Sequence, residues 1–204
     1  MNDSKKGLLI VISGPAGSGK GTVNGHLLKR DDFVYSVSAT TRAPRPNEVD
    51  GVNYHFISKE EFLSRIESGD MLEHTEYCGN FYGTPLKEAL EVLDSGKNLI
   101  LEIEVEGAHN VKAKYPEAIL IMLLPPSFAI QEQRLRGRGT ETEEKVLARL
   151  ERTKEELQTV TDYDYVVYNH DGKDIEAAEE ILAILKAERS SLRRNPNVKD
   201  KYFA

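Results

Sequence analysis

Residues 7–22 read G-L-L-I-V-I-S-G-P-A-G-S-G-K-G-T. Five consecutive apolar residues, Leu8 to Ile12, run into a glycine-rich stretch that ends at a lysine. An apolar run without alternation marks a strand buried on both faces, as in a parallel sheet. Gly14-Pro15-Ala16-Gly17-Ser18-Gly19-Lys20 then meets the phosphate-loop pattern, between that strand and a helix expected over Gly19–Arg30. Glycines let successive backbone N–H groups turn toward one anion. The helix start adds its positive end, and the lysine reaches the outer phosphates. A side chain at 17 or 19 would clash or forbid the positive φ that such a turn uses.

Position 21 departs from the pattern. Ser or Thr stands there in the standard loop to ligate Mg²⁺, whereas this chain has Gly21 followed by Thr22. Phosphate cradling survives, and Gly-Lys-Gly-Thr points to small nucleotide kinases rather than to switches or motors. No Asn-Lys-x-Asp occurs for reading guanine in the manner of a switch GTPase. The ATP side of the site is therefore expected at Gly14, Pro15, Ala16, Gly17, Ser18, Gly19, Lys20, Gly21 and Thr22.

Outward from the loop, two further continuous runs read as buried parallel strands, Asn98–Glu104 and Ala118–Leu124, and Tyr165–Asn169 is a shorter β-branched candidate. Helical patterns over 85–95, 107–115 and 174–189 alternate with them, which predicts an α/β domain with a parallel sheet. Two segments break the alternation. Residues 37–83 carry short aromatic strand-like pieces (Tyr54–Ile57, Met71–Tyr77) and one helix with a capping box at Ser58 and Glu61. Residues 125–157 are helical and arginine-rich, with a second capping box at Thr140 and Glu143. The expectation is one core (7–36, 84–124 and 158–187) with two insertions, followed by a polar tail, 188–204, as a frayed helix end.

The bulk numbers bound the function. The chain has 204 residues, enough for one sizeable core, and a formal net charge of −7, which argues against general affinity for a nucleic-acid backbone. One cysteine, Cys78, cannot form an internal disulfide, in keeping with a reducing cytoplasm. Neither a signal-like N-terminus nor an apolar run near the ~20 residues of a membrane span is present in the sequence.

A kinase donating to a second nucleotide needs a second phosphate grip. Arg42 and Arg45 in Ser38-Ala39-Thr40-Thr41-Arg42-Ala43-Pro44-Arg45-Pro46 offer two guanidinium forks pinned by prolines, although that stretch alone reads equally as a solvated loop. Tyrosine hydroxyls such as Tyr54 can complete phosphate binding. A carboxylate such as Glu73 can accept the N1–H and N2–H donors of guanine, which adenine lacks there. His74 is assigned no role. Glu102 and Glu104, read as lying on one face of a strand end, could hold magnesium through water or simply be solvated.

Four stretches, Gly-Pro-Ala-Gly-Ser-Gly-Lys-Gly-Thr, Ser-Ala-Thr-Thr-Arg-x-Pro-Arg, Gly-Asn-Phe-Tyr-Gly-Thr and Arg-Leu-Arg-Gly-Arg-Gly-Thr-Glu-Thr, occur in this order. Through them the chain resembles the guanylate kinases, bacterial members most, over about residues 7–187. The resemblance implies a P-loop three-layer α/β/α core with a central parallel sheet. To this it adds an inserted GMP-binding subdomain (37–83) and an arginine-rich helical lid (125–157). It implies that Arg42, Arg45, Tyr54 and Tyr82 hold the GMP phosphate and that Ser38, Glu73, Thr84 and Glu104 read the guanine. The family often has aspartates at the places of Glu102 and Glu104, and a serine at that of Ala16.

In Gln133-Arg134-Leu135-Arg136-Gly137-Arg138-Gly139-Thr140, arginines lie beside glycines that can hinge, and mobile arginines can stabilise a moving phosphoryl group. The resemblance assigns Arg134, Arg138 and Arg149 to the ATP phosphates, Arg138 also lying near adenine, and leaves Arg136 without a role. A plain basic helix pair with i,i+4 pairs such as Glu132–Arg136 explains the charges but not Gly-Arg-Gly. The expected reaction is in-line transfer of the γ-phosphate of Mg·ATP to GMP, and also dGMP, by a cytoplasmic monomer or homodimer. The catalytic set would be Lys20, Arg42, Arg134, Arg138 and Arg149. Two rivals are a kinase for AMP or dTMP and a non-catalytic scaffold module; the intact lysine and glycines of the loop argue against the second.

Overall fold

The computed structural model describes residues 6–77, 79–137, 139 and 142–203. In chain order the elements are β1 (Leu9–Ser13), α1 (Lys20–Leu27), β2 (Phe33–Tyr35), β3 (Ala39–Thr40), β4 (His55–Phe56), α2 (Lys59–Glu67), β5 (Met71–Tyr77), β6 (Asn80–Pro85) and α3 (Leu86–Asp94). They continue with β7 (Asn98–Leu101), α4 (Val105–Lys114), β8 (Ile119–Leu124), α5 (Phe128–Gly137), α6 (Glu143–Glu156), β9 (Tyr165–Tyr168), α7 (Asp174–Ser190) and α8 (Val198–Phe203).

Five strands form a parallel sheet in the order β2-β7-β1-β8-β9. The continuous apolar runs are explained by what covers them. Ile10 and Ile12 of β1 pack on one face with Val23 and Leu27 of α1 and Ile181 and Leu185 of α7. Leu9 and Val11 point to the other face, against Leu93 of α3 and Ala108 and Val111 of α4. Helices thus lie on both faces, the three-layer α/β/α arrangement expected, and each fully buried Ile or Leu contributes roughly 1.5–3 kcal/mol.

A second, four-stranded sheet, order β4-β3-β6-β5, is spliced between β2 and α3. It is mixed: β3 runs parallel to β4 and antiparallel to β6, and β5 and β6 form a hairpin. Phe62 of α2 is fully buried beneath it with Ala39 and Met71, and stacks on Phe81 at 5.5 Å between ring centres. The cap of α2 is the one expected, Ser58 Oγ accepting from the Glu61 N–H at 3.1 Å.

Three expectations change. The strand from Asn98 ends at Leu101, so Glu102 and Glu104 do not share a strand face. Ser13 Oγ donates to the Ile103 carbonyl at 2.8 Å in place of a ladder bond, and Glu104 sits at the N-cap of α4. Thr140 lies outside the described residues, and the residue preceding α6 is Thr142 rather than a Thr140 cap. The tail is not simply frayed: α7 runs to Ser190, a 3₁₀ turn covers Leu192–Arg194, and α8 follows. Among the described residues, no helix is long and apolar enough to cross a membrane.

Candidate active site

The phosphate loop sits where β1 hands over to α1, at the C-terminal edge of the parallel sheet, where such sheets bind ligands. Gly17 and Gly19 are left-handed, φ 86° and 88°. At Gly19 a Cβ would also stand 2.3 Å from Nδ2 of Asn169, which reaches over from the end of β9 to donate to the Ser18 carbonyl at 2.8 Å. The left-handed backbone therefore calls for glycine at 19, and a Cβ would also push the Asn169 amide off the Ser18 carbonyl. Lys20 Nζ arches back over the loop, donating to the Gly14 carbonyl at 2.5 Å. Around Gly21 nothing lies within 4 Å of where a Cβ would be.

A cavity of about 340 Å³ runs from Gly14 and Lys20 toward the second sheet, and its lining includes Ser38, Tyr54, Glu73, Tyr82, Glu102 and Glu104. Eight residues singled out in the sequence thus face one space. Glu73, on β5, is 3% exposed, and its Oε1 accepts from Thr84 Oγ1 of β6 at 2.8 Å. Burial pushes the Glu73 carboxyl up to about 7, against the pull of the Thr84 bonds and of Lys114. Thr84 itself is fully buried and acts behind Glu73 rather than on the cavity wall.

Arg42 stands next to this wall, stacked over the Tyr54 ring at 5.5 Å and the Phe56 ring at 5.8 Å. Tyr54 in turn meets Tyr82 edge-on at 6.1 Å. The Arg42 guanidinium is gripped by Glu48 at 2.8 Å, and the second Glu48 oxygen accepts from the Arg45 backbone N–H at 2.8 Å. Those bonds hold the Glu48 carboxyl below its ordinary range. Arg45 enters the network through its backbone, while the residue itself is exposed. Glu48 was not legible as a partner, because nothing about a glutamate in a polar loop distinguishes it from a solvated one.

Glu102 and Glu104 take separate partners. Asn24 of α1 donates to Glu102 at 2.8 Å, and the Tyr35 hydroxyl lies 3.3 Å from the same oxygen. Burial and the facing Glu102 push the Tyr35 hydroxyl far above its usual range, so it stays a donor. Glu104 is paired at 3.0 Å with Arg152 of α6. Arg152 also bonds Glu156 at 2.9 Å and lies 4.7 Å over the Tyr77 ring. Asn24, Tyr35 and Arg152 were missed because their roles depend on contacts between distant elements. Gly107 was missed too: a Cβ there would stand 3.0 Å from Glu73 Oε2.

The α5–α6 hairpin closes on the outer side of the loop. Its core is Leu135, Val146 and Leu150, with Ala16 packed against it, and Gln131 donates to both the Ala16 carbonyl (3.0 Å) and Thr153 Oγ1 (2.7 Å). Arg134 donates to the carbonyls of Gly17 (3.1 Å) and Asn169 (2.7 Å) and pairs with Asp171. It lines a separate space of about 420 Å³ with Gly17, Gly19 and Thr22. Arg149 lies on α6, and its backbone carbonyl accepts from Thr153. Arg136 is tied to Glu132 and Glu143, as a structural ion-pair cluster. Arg138 lies outside the described residues.

For a magnesium ion, the donor set fits an ion carried in on phosphates. Among the described residues no three acidic, His or Cys groups converge as a cage. Glu102 nevertheless presents a fixed carboxylate in the Lys20 cavity, a hard oxygen ligand of the kind Mg²⁺ takes alone or through water.

The family model for guanylate kinase matches residues 6–188. Similar curated proteins include a guanylate kinase of Halalkalibacterium halodurans, 53% identical over 94% of each chain. Another, from Clostridioides difficile, is 48% identical over 95% of this chain and 94% of its own. Among solved structures, the guanylate kinase of Anaplasma phagocytophilum superposes with a TM-score of 0.74 at 34% identity, covering 93% of this chain and 90% of the other.

Proposed function

The chain belongs to the guanylate kinase family and is a phosphotransferase that passes the γ-phosphate of ATP to GMP; we propose how its residues divide that work. The observation that carries the proposal is the continuous cavity with Lys20 at one end and the buried Glu73–Thr84 pair at the other. A phosphate cradle and a base-reading carboxylate share one space, which is the geometry of transfer between two nucleotides.

The ATP phosphates lie in the loop, held by its N–H groups and by Lys20 and, at the outer side, Arg134; Arg138 and Arg149 add to this grip as the hairpin closes. GMP lies across the second sheet. Its phosphate meets Arg42, Tyr54 and Tyr82, with Arg45 swinging in from solvent. Its guanine meets Glu73, held in place from behind by Thr84, with Ser38 and Glu104 completing the contacts. The carboxylate accepts the two guanine N–H donors; adenine would leave it buried and unpaired, a costly arrangement.

The nucleophile is an oxygen of the GMP phosphate, ionised at neutral pH because a phosphate monoester's second pKa is about 6. No protein base has to remove a proton. The oxygen attacks the γ-phosphorus in line, the bond to the bridging oxygen breaks, and ADP leaves with that electron pair. Mg²⁺ would be held by the phosphates and, directly or through water, by Glu102; bound there it offsets phosphate charge. The protein's share is alignment, charge stabilisation by Lys20 and the arginines, and exclusion of water as the hairpin and second sheet approach. dGMP, which keeps the same base and phosphate, is accepted as well. The protein works in the cytoplasm.

A coupled assay offering GMP, dGMP, AMP and dTMP separately with Mg·ATP tests this reading. Turnover with the two guanine nucleotides at least about 10²-fold above the others is expected from the unpaired-carboxylate argument; equal or better turnover of AMP overturns it.

A further inference from the structure

The parallel sheet has a second end. At the N-terminal edge of β1, about five residues of strand and on the order of 16 Å from the phosphate loop, a cavity of about 680 Å³ opens between Lys6–Leu8 and the turn that joins α7 to α8. Its charged lining is Lys6, Arg189, Arg193, Arg194 and Lys201 against Glu117. Five cations gather there on a chain of net charge −7.

A buried carboxylate ties two of those cations together. Glu188, buried, accepts from the Tyr165 hydroxyl at 2.6 Å and pairs with both Arg193 and Arg194 at 2.9 Å. Burial alone would raise its carboxyl, but the three bonds outweigh it and hold the group at about 2. One carboxylate thus anchors two guanidiniums, leaving one positive charge over. Lys6 is offset by Asp94 at 3.1 Å. Arg189 is different: half-buried, it donates to the neutral Asn98 Oδ1 at 2.7 Å and, among the described residues, has no carboxylate in ion-pair contact. A guanidinium drawn out of water without a counter-charge is costly, and a phosphate's oxygens match its fork.

From this juxtaposition we propose that the cavity is a binding site for a small, multiply charged phosphate compound, separate from the nucleotide cavity. Arg189 is its central contact, with Arg193, Arg194, Lys6 and Lys201 around it. The concave shape between turn and strand suits a soluble phosphoanion rather than a flat lipid surface.

Pyrophosphate is the probe. Calorimetric titration of Lys20→Ala protein, in which the phosphate loop is weakened, is expected to retain a pyrophosphate site that weakens as salt is raised. Adding Arg189→Gln to that background lowers the affinity about tenfold or more, inorganic phosphate binds more weakly than pyrophosphate, and Arg189→Gln alone leaves kinase turnover unchanged. Absence of binding to Lys20→Ala protein at millimolar pyrophosphate overturns the proposal, as does an unchanged affinity in the folded double variant. Should thermal melting show that Arg189→Gln unfolds the chain, Lys6→Gln with Lys201→Gln decides by the same loss or retention of affinity. Co-sedimentation with phosphatidylglycerol vesicles that pyrophosphate does not compete away would assign the site to a membrane and overturn the soluble-ligand reading.

Discussion

The phosphate loop and the base pocket solve recognition by opposite means. The loop is proposed to work through main-chain N–H groups, and its identity requirements are negative: Gly19 is glycine because φ 88° disfavours any other residue, and a Cβ there would displace the Asn169 amide. The pocket, in the reading proposed above, works through side chains from separate strands, and its requirements are positive: Glu73 would have to be a carboxylate, and Thr84 holds it in place. A backbone cradle tolerates side-chain drift, as Ala16 shows, whereas a side-chain reader fails with the loss of one atom. The contrast also places the cost of desolvation, which falls on the buried Glu73 carboxyl and not on the loop, whose left-handed positions are glycines that adopt them without strain.

The comparison breaks first at Lys20, the loop residue whose side chain is proposed to reach the phosphates. Lys20→Ala should lower kcat by about 10³-fold, in the range of losing a transition-state charge contact, while the melting temperature moves little because Lys20 stands at the loop and outside the hydrophobic core. Steady-state kinetics beside calorimetric melting checks both halves.

Glu73→Gln comes next. It keeps the shape but turns one acceptor oxygen into a donor against the guanine N–H groups. KM for GMP should rise about 10²-fold, worth roughly 2.7 kcal/mol, with far less effect on KM for ATP. The same residue predicts a pH signature. Its folded carboxyl titrates near 7 against 4.5 when solvated, so between these values the ligand-free fold binds more protons than the unfolded chain. Stability therefore falls as pH rises from about 4.5 to about 7, and the slope is reduced in Glu73→Gln. If Glu73 reads the guanine as proposed, GMP binds its ionised form, so GMP affinity should climb over the approach to pH 7 and binding should release protons. Calorimetry in two buffers of different ionisation enthalpy measures that release; no difference between them defeats the assignment.

A smaller effect is expected at Gly107. Its missing Cβ leaves Glu73 Oε2 its place, and the Ala methyl would press that oxygen by a few tenths of an ångström. Gly107→Ala should raise KM for GMP by about tenfold, with kcat and the ATP side within about twofold, because a misplaced acceptor loses part of one charged hydrogen bond. Equal losses for both substrates would mean the helix, not the carboxylate, had moved. Smallest of all, Arg152→Ala should change KM for GMP by less than about threefold, since the Glu104 pair is half exposed and such pairs are worth little.

The two regions also differ in how far the sequence discloses them. The loop is local: strand, glycines and lysine are contiguous, so seven residues state the motif and its flanking elements. The middle of the central sheet was legible for the same reason, β7, β1 and β8 being continuous apolar runs, whereas the three-residue edge strand β2 carries no such run and was not expected. Glu102 and Glu104 show where this reasoning stops. Spacing of two suggests a common face only while the strand continues, and Ser13 ends it by taking the Ile103 carbonyl. Glu48, Asn24, Tyr35 and Arg152 are ordinary polar residues until a distant element is brought against them. Resemblance named the residues around the guanine, but the burial that sets Glu73 apart belongs to the packing of β5 on β6 and α4.

Gly21 stands in the first turn of α1 with open space where a Cβ would project. Neither a clash nor a left-handed backbone holds a glycine at that position, and glycine in a helix costs about 0.5–1 kcal/mol relative to alanine. The neighbouring glycines are dictated by geometry; this one is a free variable. Position 21 is therefore the place in the loop where a hydroxyl can be written in without rebuilding the backbone. That makes it the point at which a kinase-type loop and a switch-type loop are one side chain apart.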